Sequence, residues 1–496
     1  MTTTAIRRAG AILGAAALWL ASAAAAQQPM TLHDAIALAQ RQGAEAAVAT
    51  NTREAARDRN RVFDAGFLPS LALSGYTPNY SSSITPVKQP DGTTLYLPVQ
   101  ETDAGLAASI VQRVPWTNTT LTLSSGLNRV LVTGPSGFTS WSSTPFTVGL
   151  SQPIFHSNSQ RWDIRQQDLQ MESAERRYLE SREDVAIAAT NAFFDLYAAG
   201  ANLKNATNNV AVNDTLYKLN TERFQIGKIG ENDLLQSQLA LLRARESMED
   251  AQLSYDRTAA QFRITINLAP TAPVDIAVTA DAPVVDADTA EAVKWARANS
   301  SATTDVAASL VQADRGVSEA RWNTGPGATV NASYGYNATA GNAPQAYRNL
   351  LNAQSFGLSV QVPVWQWGAH SGAVDAARAD RDAARTNADV SRAQIDLNAR
   401  FAALQLTQAR KSLTIASKAD TVATQRFDVA YSRYVIGRIT IGDLYIAQQE
   451  KDDALVAFAQ AMRTYWVAYY TLRRLTLFDF EGDRPIREFP ELNPGR

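Results

Sequence analysis

The most constraining feature of this chain is a long internal repeat. The stretch Arg223 to Leu235, RFQIGKIGENDLL, returns 210 positions later as Arg433 to Tyr445, RYVIGRITIGDLY. Arg223, Ile226, Gly227, Ile229, Asp233 and Leu234 meet identical residues at Arg433, Ile436, Gly437, Ile439, Asp443 and Leu444. Phe224 meets Tyr434, and Lys228 meets Arg438. Each copy reads as a helix end, a glycine suited to positive φ, a short turn and an acidic residue opening the next helix. Each is therefore the tip of a helical hairpin.

The same offset carries Phe146, Pro153, Tyr217 and Tyr255 onto Phe356, Pro363, Phe427 and Tyr465. Upstream the offset becomes 257, where Ala35, Ile36 and Pro69 match Ala292, Val293 and Pro326, so the first copy holds 47 extra residues between Pro69 and Phe146. Two copies of this length are one architecture built twice, not a solenoid of small units.

After the N-terminal helical stretch, Thr31 to Asp64 with a break at Gly43, the period changes from 3.6 to 2. In the second copy, Ala328, Val330, Ala332, Tyr334 and Tyr336 alternate with Thr329, Asn331, Ser333 and Gly335. Phe356, Leu358, Val360, Val362 and Val364 alternate with Gly357, Ser359, Gln361 and Pro363. One oily face and one small polar face, over nearly the roughly 9–11 residues that cross a bilayer at a tilt, suit a membrane barrel strand. A water-soluble sandwich edge has the same period, and the pattern alone leaves both open. Tyr334, Tyr336, Trp365 and Trp367 fall near strand ends, where an interfacial aromatic girdle belongs. The first copy supplies matching strands near 70–80 and 144–154. Its insertion adds the alternating runs Leu106–Val114 and Thr119–Leu127 around the turn 115–118, while 81–92 and 133–143, rich in Ser, Pro and Gly, read as loops.

Long helices follow. No proline occurs between Pro153 and Pro270 or between Pro363 and Pro485. Val185, Ala189, Ala192, Leu196, Ala199, Leu203, Ala206, Val210, Asn213 and Tyr217 recur at spacings of four and three, and the second copy repeats the series from Ile395 to Phe427. That heptad means coiled-coil packing, and its alanines favour a wall of closely approaching helices. Each descending helix of about 70 residues spans roughly 105 Å, and each return helix roughly 50 Å. The helical stretches 31–64 and 288–323 have the missing length.

The net charge of −2 gives no electrostatic case for nucleic acid. Absence of cysteine excludes disulfides, thiolate metal sites and a lipidated N-terminal cysteine. His33, His156 and His370 are far apart and lack ligand spacing, and no motif of a known catalytic or cofactor site is present. At the N-terminus, Arg7 and Arg8, the apolar run Ala11–Leu20 and the alanines up to Ala26 form an export signal; the alternative is an uncleaved anchor.

Duplicated halves, each with a helix, paired strands, a heptad helix, a tip of the form (F/Y)xxG and a return helix, resemble the TolC family of outer-membrane efflux proteins. The resemblance covers nearly the whole mature chain. It implies an α+β membrane protein: an internally duplicated helical coiled-coil tunnel plus a transmembrane β-barrel, both formed by a homotrimer. The segments are then 1–26 signal peptide, 27–286 first repeat, 287–480 second repeat and 481–496 irregular tail. A periplasmic adaptor protein and an inner-membrane transporter are the implied partners, and the implied duct is passive, without cofactor or metal. By the same resemblance Asp233, Tyr434, Arg438 and Asp443 belong to a tunnel entrance or gate; Tyr434 and Arg438 of one hairpin fall level with Asp233 of the other, so an Arg438–Asp233 bond is expected to hold it shut. Gly227, Lys228, Gly437 and Arg438 belong to tips that dock the adaptor. Two departures stand out. Family members usually supply two strands per half, so the extra hairpin either makes six strands or folds outside the membrane. Also, the acidic position one turn after Asp443 is Ile446. The alternative reading is a periplasmic coiled-coil adaptor, which normally carries one hairpin and no paired sets of barrel-like strands.

The mature protein is expected to begin at Gln27 without an attached lipid. Intact mass checks this; a mass that includes residues 1–26, or a diacylglycerol adduct, contradicts it.

Overall fold

The computed structural model describes residues 29–88, 91–133, 137–278, 285 and 287–486. The expected export signal and the tail beyond 486 lie outside the described residues. In chain order the elements are α1 (Leu32–Gln42), α2 (Ala44–Ala65), β1 (Ser70–Lys88), β2 (Thr94–Val114), β3 (Thr119–Thr133), β4 (Phe138–Ile154), α3 (Ser159–Gln225) and α4 (Glu231–Thr265). The second copy follows as α5 (Thr289–Asn299), α6 (Ser301–Asn323), β5 (Gly327–Ala340), β6 (Leu351–Gln361), α7 (Ala369–Val435) and α8 (Ile441–Thr476), then β7 (Phe478–Asp479) and β8 (Arg484–Pro485). The duplication is visible in the breaks. Gly43 separates α1 from α2, and Ser300, 257 positions later, separates α5 from α6. At Gly43 a side chain would meet the Ala39 carbonyl oxygen at 2.4 Å and the Thr265 oxygen at 3.2 Å, so the break also needs a residue without Cβ.

The chain forms two compact units. One comprises 1–51, 178–299 and 396–496. Its core is where the heptad positions go: Val185, Ala189, Leu196, Ala399, Ala402 and Leu406 are all buried. Alanine at these positions brings backbones close, and larger side chains fill the rest. Phe193, Phe262, Met462, Tyr465 and Leu472 are fully buried beside Ala35, Ile36 and Ala39 of α1. A second, small cluster of Leu216, Phe427, Tyr434, Ile441 and Leu444 lies at the hairpin tips. The chain before α1 pairs with the connection after α4, through Met30 N–H to the Asp275 oxygen (2.8 Å) and Ala277 N–H to the Met30 oxygen (3.0 Å).

One buried ion pair interrupts this core. Arg473 places two guanidinium nitrogens 3.2 Å from the two carboxylate oxygens of Glu183, which is 2% exposed. Burial pushes the Glu183 carboxyl above its ordinary range, opposed by Arg473 and Arg182. Beside it, the Tyr469 hydroxyl donates to Asp479 (3.0 Å), and Trp295 stacks on Phe478 at 4.4 Å. The region after Asp479, expected to be irregular, instead returns as β8 on β7, with Ile486 N–H bonded to the Leu477 oxygen at 2.8 Å. Leu477, left-handed at φ 46°, turns the chain out of α8 and lets Phe478 tuck under Trp295.

The other unit comprises 52–177 and 300–395. Its centre is one antiparallel sheet in the order β1-β2-β3-β4-β5-β6. The insertion therefore lies within the sheet as β2 and β3, turning at residues 115–118 as the sequence indicates, with Asn118 at φ 62°. Strands replace most of the expected loops at 81–92 and 133–143. The prolines that suggested loops sit where they cost no ladder bond. Pro86, the described proline of these segments, lies on β1, an edge strand that pairs only with β2, while Pro78 and Pro145, just outside them, fall at register shifts. In contrast, β6 ends at Gln361, so Val362 and Val364 continue the alternation beyond the ladder. Polar links tie the helices of this unit together, with Arg57 to Glu175 and Arg315 to Asp163 at 2.6 Å each.

Removing one partner of a buried pair leaves the other charge uncompensated. Arg473→Ala is expected to cost about 3–5 kcal/mol in denaturant unfolding, and joint replacement of Glu183 and Arg473 by Gln and Met far less. Equal losses for both variants contradict the assignment.

Candidate functional site

Two features stand apart: the sheet of one unit and the hairpin tips of the other. In the sheet, residues paired directly across antiparallel strands share a face, so the register converts the alternation into rows. Leu71, Ile110, Leu123, Val148 and Tyr334 make one row. Leu121, Leu150, Ala332 and Phe356 make a parallel one on the same face. Between them, on the opposite face, run Thr122, Gly149, Ser333 and Ser355, with the two serine hydroxyls 2.8 Å apart. Across these rows one face is apolar and the other small and polar.

The apolar face is exposed. Leu71 and Leu73 are 73% accessible and Phe356 75%, which water would not tolerate over so wide an area. Along β5 it runs nine positions, from Ala328 to Tyr336, close to the roughly 9–11 residues of a tilted transmembrane strand. Aromatics mark both limits. Phe146 packs on Tyr336 at 5.9 Å and Tyr334 on Tyr336 at the same distance. Beyond β6, Trp365 and Trp367 meet edge to face at 5.2 Å. Among the described residues no helix is long and apolar enough to cross a membrane.

At the tips the expected glycines have left-handed backbone, Gly227 at φ 70° and Gly437 at φ 74°. Gly227 N–H bonds the Phe224 oxygen and Lys228 N–H the Arg223 oxygen; Gly437 and Arg438 repeat this on Tyr434 and Arg433. These paired bonds are the Schellman closure of a helix. Both glycines face open space, so conformation, not crowding within the chain, selects glycine here.

The return helices open differently. In the second copy Thr440 caps α8: its hydroxyl donates to the Asp443 carboxylate (2.7 Å), which also accepts the Thr440 N–H (3.1 Å), and Asp443 N–H returns a bond to the hydroxyl oxygen (3.2 Å). These bonds hold the Asp443 carboxyl below its ordinary range. In the first copy Gly230 stands at the cap and makes no side-chain bond. The T-x-x-D spacing of a capping box was present in the sequence and marks Asp443 as a structural residue as well as a charge.

The structure brings Tyr434, but not Arg438, into contact with the other hairpin. The Tyr434 hydroxyl donates to Asn220 Oδ1 at 2.8 Å, and both residues are buried. Arg223 lies over the Tyr434 ring at 5.4 Å and donates to the Val435 oxygen at 2.9 Å. The expected Arg438–Asp233 bond is not formed within the described residues; Arg223 makes the crossing instead, because it sits one turn deeper, opposite the α7 end. Sequence reasoning missed Arg223 and Asn220. The available signal was the change from Phe224 to Tyr434, which adds one hydroxyl to an otherwise repeated tip. Lys228 and Arg438 are exposed beside the two glycines. His156 and His370 make local contacts, to the Ile154 oxygen (2.9 Å) and the Thr324 hydroxyl (2.7 Å).

Comparison with known proteins agrees with this geometry. The CmeC outer membrane channel of Campylobacter jejuni superimposes with a TM-score of 0.63 over 92% of this chain and 87% of that one, at 17% identity. VceC of Vibrio cholerae gives 0.63 over 90% and 95% at 14% identity, and the open state of MtrE of Neisseria gonorrhoeae 0.60 over 90% and 88% at 15%. Protein CyaE of Bordetella pertussis is 23% identical over 235 residues, 47% of this chain and 49% of that protein, so the chain spans about half the length of that curated relative. Residues 35–267 and 292–476, nearly all of both repeats, match the outer membrane efflux protein family, and the chain belongs to that family of the outer membrane.

Proposed function

We propose that this chain is the passive exit duct of a tripartite export system, carrying small molecules or proteins across the outer membrane, with no catalytic chemistry of its own. The observation that carries the reading is a sheet with one lipid-type face and two unpaired edges, β1 and β6. Hydrocarbon offers backbone groups no water, so those edges require strands from other copies. The helices call for the same partner. On α7, Phe401, Ile415, Val422 and Val429 are exposed at multiples of seven, and on α4 Leu235, Leu239 and Leu242 are exposed at spacings of four and three. These are coiled-coil seams lacking a mate within the chain, and copies of the chain in a homotrimer supply it.

The tips are the entrance. Tyr434 with Asn220 and Arg223 holds the two hairpins of one copy together, at about 0.5–1.5 kcal/mol per hydrogen bond. Three copies make the closed state a few kcal/mol deep on the same figure. Asp443, kept ionised by its cap, contributes one charge per copy to a ring that attracts cations. Gly227 and Gly437, with Lys228 and Arg438, present the turns to a periplasmic adaptor that links the duct to an inner-membrane transporter.

Single-channel recording in planar bilayers tests the entrance. Arg223→Ala combined with Tyr434→Phe is expected to raise conductance, and Asp443→Asn to lower cation selectivity; wild-type behaviour in both places the constriction elsewhere. Gly437→Val is expected to reduce crosslinking to the adaptor while leaving trimers intact, since a β-branched residue resists positive φ. Undiminished crosslinking excludes docking at this turn.

A further inference from the structure

We propose that the 47-residue insertion widens the barrel itself: six strands from each of three copies close an eighteen-stranded wall, where two strands per half would close one of twelve. This rests on the homotrimer reading above. Three observations carry it beyond that reading.

First, β2 and β3 occupy the middle of the wall. β2 pairs with β1 from Ser70–Val111 to Lys88–Thr94, β3 pairs with β4 from Thr120–Ser151 to Val132–Phe138, and among the described residues β1 and β4 do not pair directly. A hairpin folded outside the membrane would have left β1 beside β4.

Second, the inserted strands obey the face rule of their neighbours. Ile110 and Leu123 continue the apolar row between Leu71 and Val148, and Ser109 and Ser124 face the small polar side together. Their turn is fastened at the base of the sheet. Asn158 Nδ2 donates to the Pro115 oxygen, and Gln152 Nε2 to the Thr117 oxygen, each at 2.8 Å, and Thr119 bonds the Gln152 side chain.

Third, the topology closes. With six antiparallel strands, β1 and β6 run in opposite directions, so β6 of one copy meets β1 of the next antiparallel under simple rotation, and the ring leaves no edge in lipid. Barrel diameter grows roughly linearly with strand number, and walls of about 16–18 strands enclose an aqueous channel. Eighteen strands give a mouth about 1.5 times as wide as twelve. The outer opening therefore admits solutes that a twelve-stranded barrel excludes.

Two measurements test this. Electron cryomicroscopy of the full-length protein in lipid nanodiscs is expected to show trimers with eighteen strands. Trimers with twelve, the hairpin lying outside the wall, overturn the inference and leave the trimer reading standing; another copy number overturns that reading itself. In parallel, residues 89–137 are replaced by a two-residue turn joining β1 to β4. Polyethylene glycols of graded size, added on the outer side of planar bilayers, are expected to show an exclusion radius about two thirds of wild type for this variant. An unchanged radius in a folded trimer contradicts the widening, and should the variant not fold, the wild-type strand count decides.

Discussion

The constraint on which everything else rests is that hydrocarbon cannot hydrogen-bond a peptide group. A six-stranded sheet with an apolar face meets that constraint through five internal ladders and fails it at two edges. From this follow the even number of strands per chain, the direction in which copies must be added and the need for a closed ring. The same need acts on the helices through packing. Heptad alanines such as Ala399 and Ala402 bury one seam of α7 within the chain, while Phe401 and Val422 leave a second seam exposed. Sheet edge and helix seam are separate surfaces, and the proposed homotrimer satisfies both with the same kind of partner.

Duplication sets the symmetry of each copy, and divergence between the repeats sets what the two hairpins do. Backbone features recur faithfully: the breaks at Gly43 and Ser300, the left-handed Gly227 and Gly437, and the return helices α4 and α8. Side-chain chemistry does not. Thr440 replaces Gly230 and creates a capping box, and Tyr434 replaces Phe224 and creates a hydroxyl that reaches Asn220. Geometry is kept by the residues that fix φ and close packing. Bonding between the hairpins is added by substitutions that leave the geometry alone.

Much of this was legible in the sequence, for identifiable reasons. Periodicity locates buried stripes because packing selects them, so the heptad series from Val185 onward fell on the core almost residue for residue. Positive φ selects glycine, so the tips were legible too. Strand length was not: 81–92 and 133–143 carry the Ser, Pro and Gly of loops, yet most of these residues are paired, because a strand lined by water on one face tolerates small polar residues and an edge strand accommodates Pro86. The partner of a tip cation was not legible either. Arg438 and Arg223 are both near Asp233 in sequence pattern, and only the relative rotation of the helices shows that Arg223 crosses to Val435.

Buried contacts are spread unevenly within the helical unit. The large core gathers fully buried Phe193, Phe262, Tyr465 and Leu472, and the Glu183–Arg473 pair locks α3 to α8 inside it. The tip has only a five-residue cluster, held across hairpins by one tyrosine hydroxyl and one arginine. Local opening draws on whatever contacts a region owns, and the tips own fewer buried side chains than the core. Long helices make this separation effective. Residues 223–235 lie many turns from the buried Glu183–Arg473 pair, with buried alanines such as Ala199 and Ala206 between them on α3. The weak tip and the strong core are therefore not competing demands but successive stretches of the same helices.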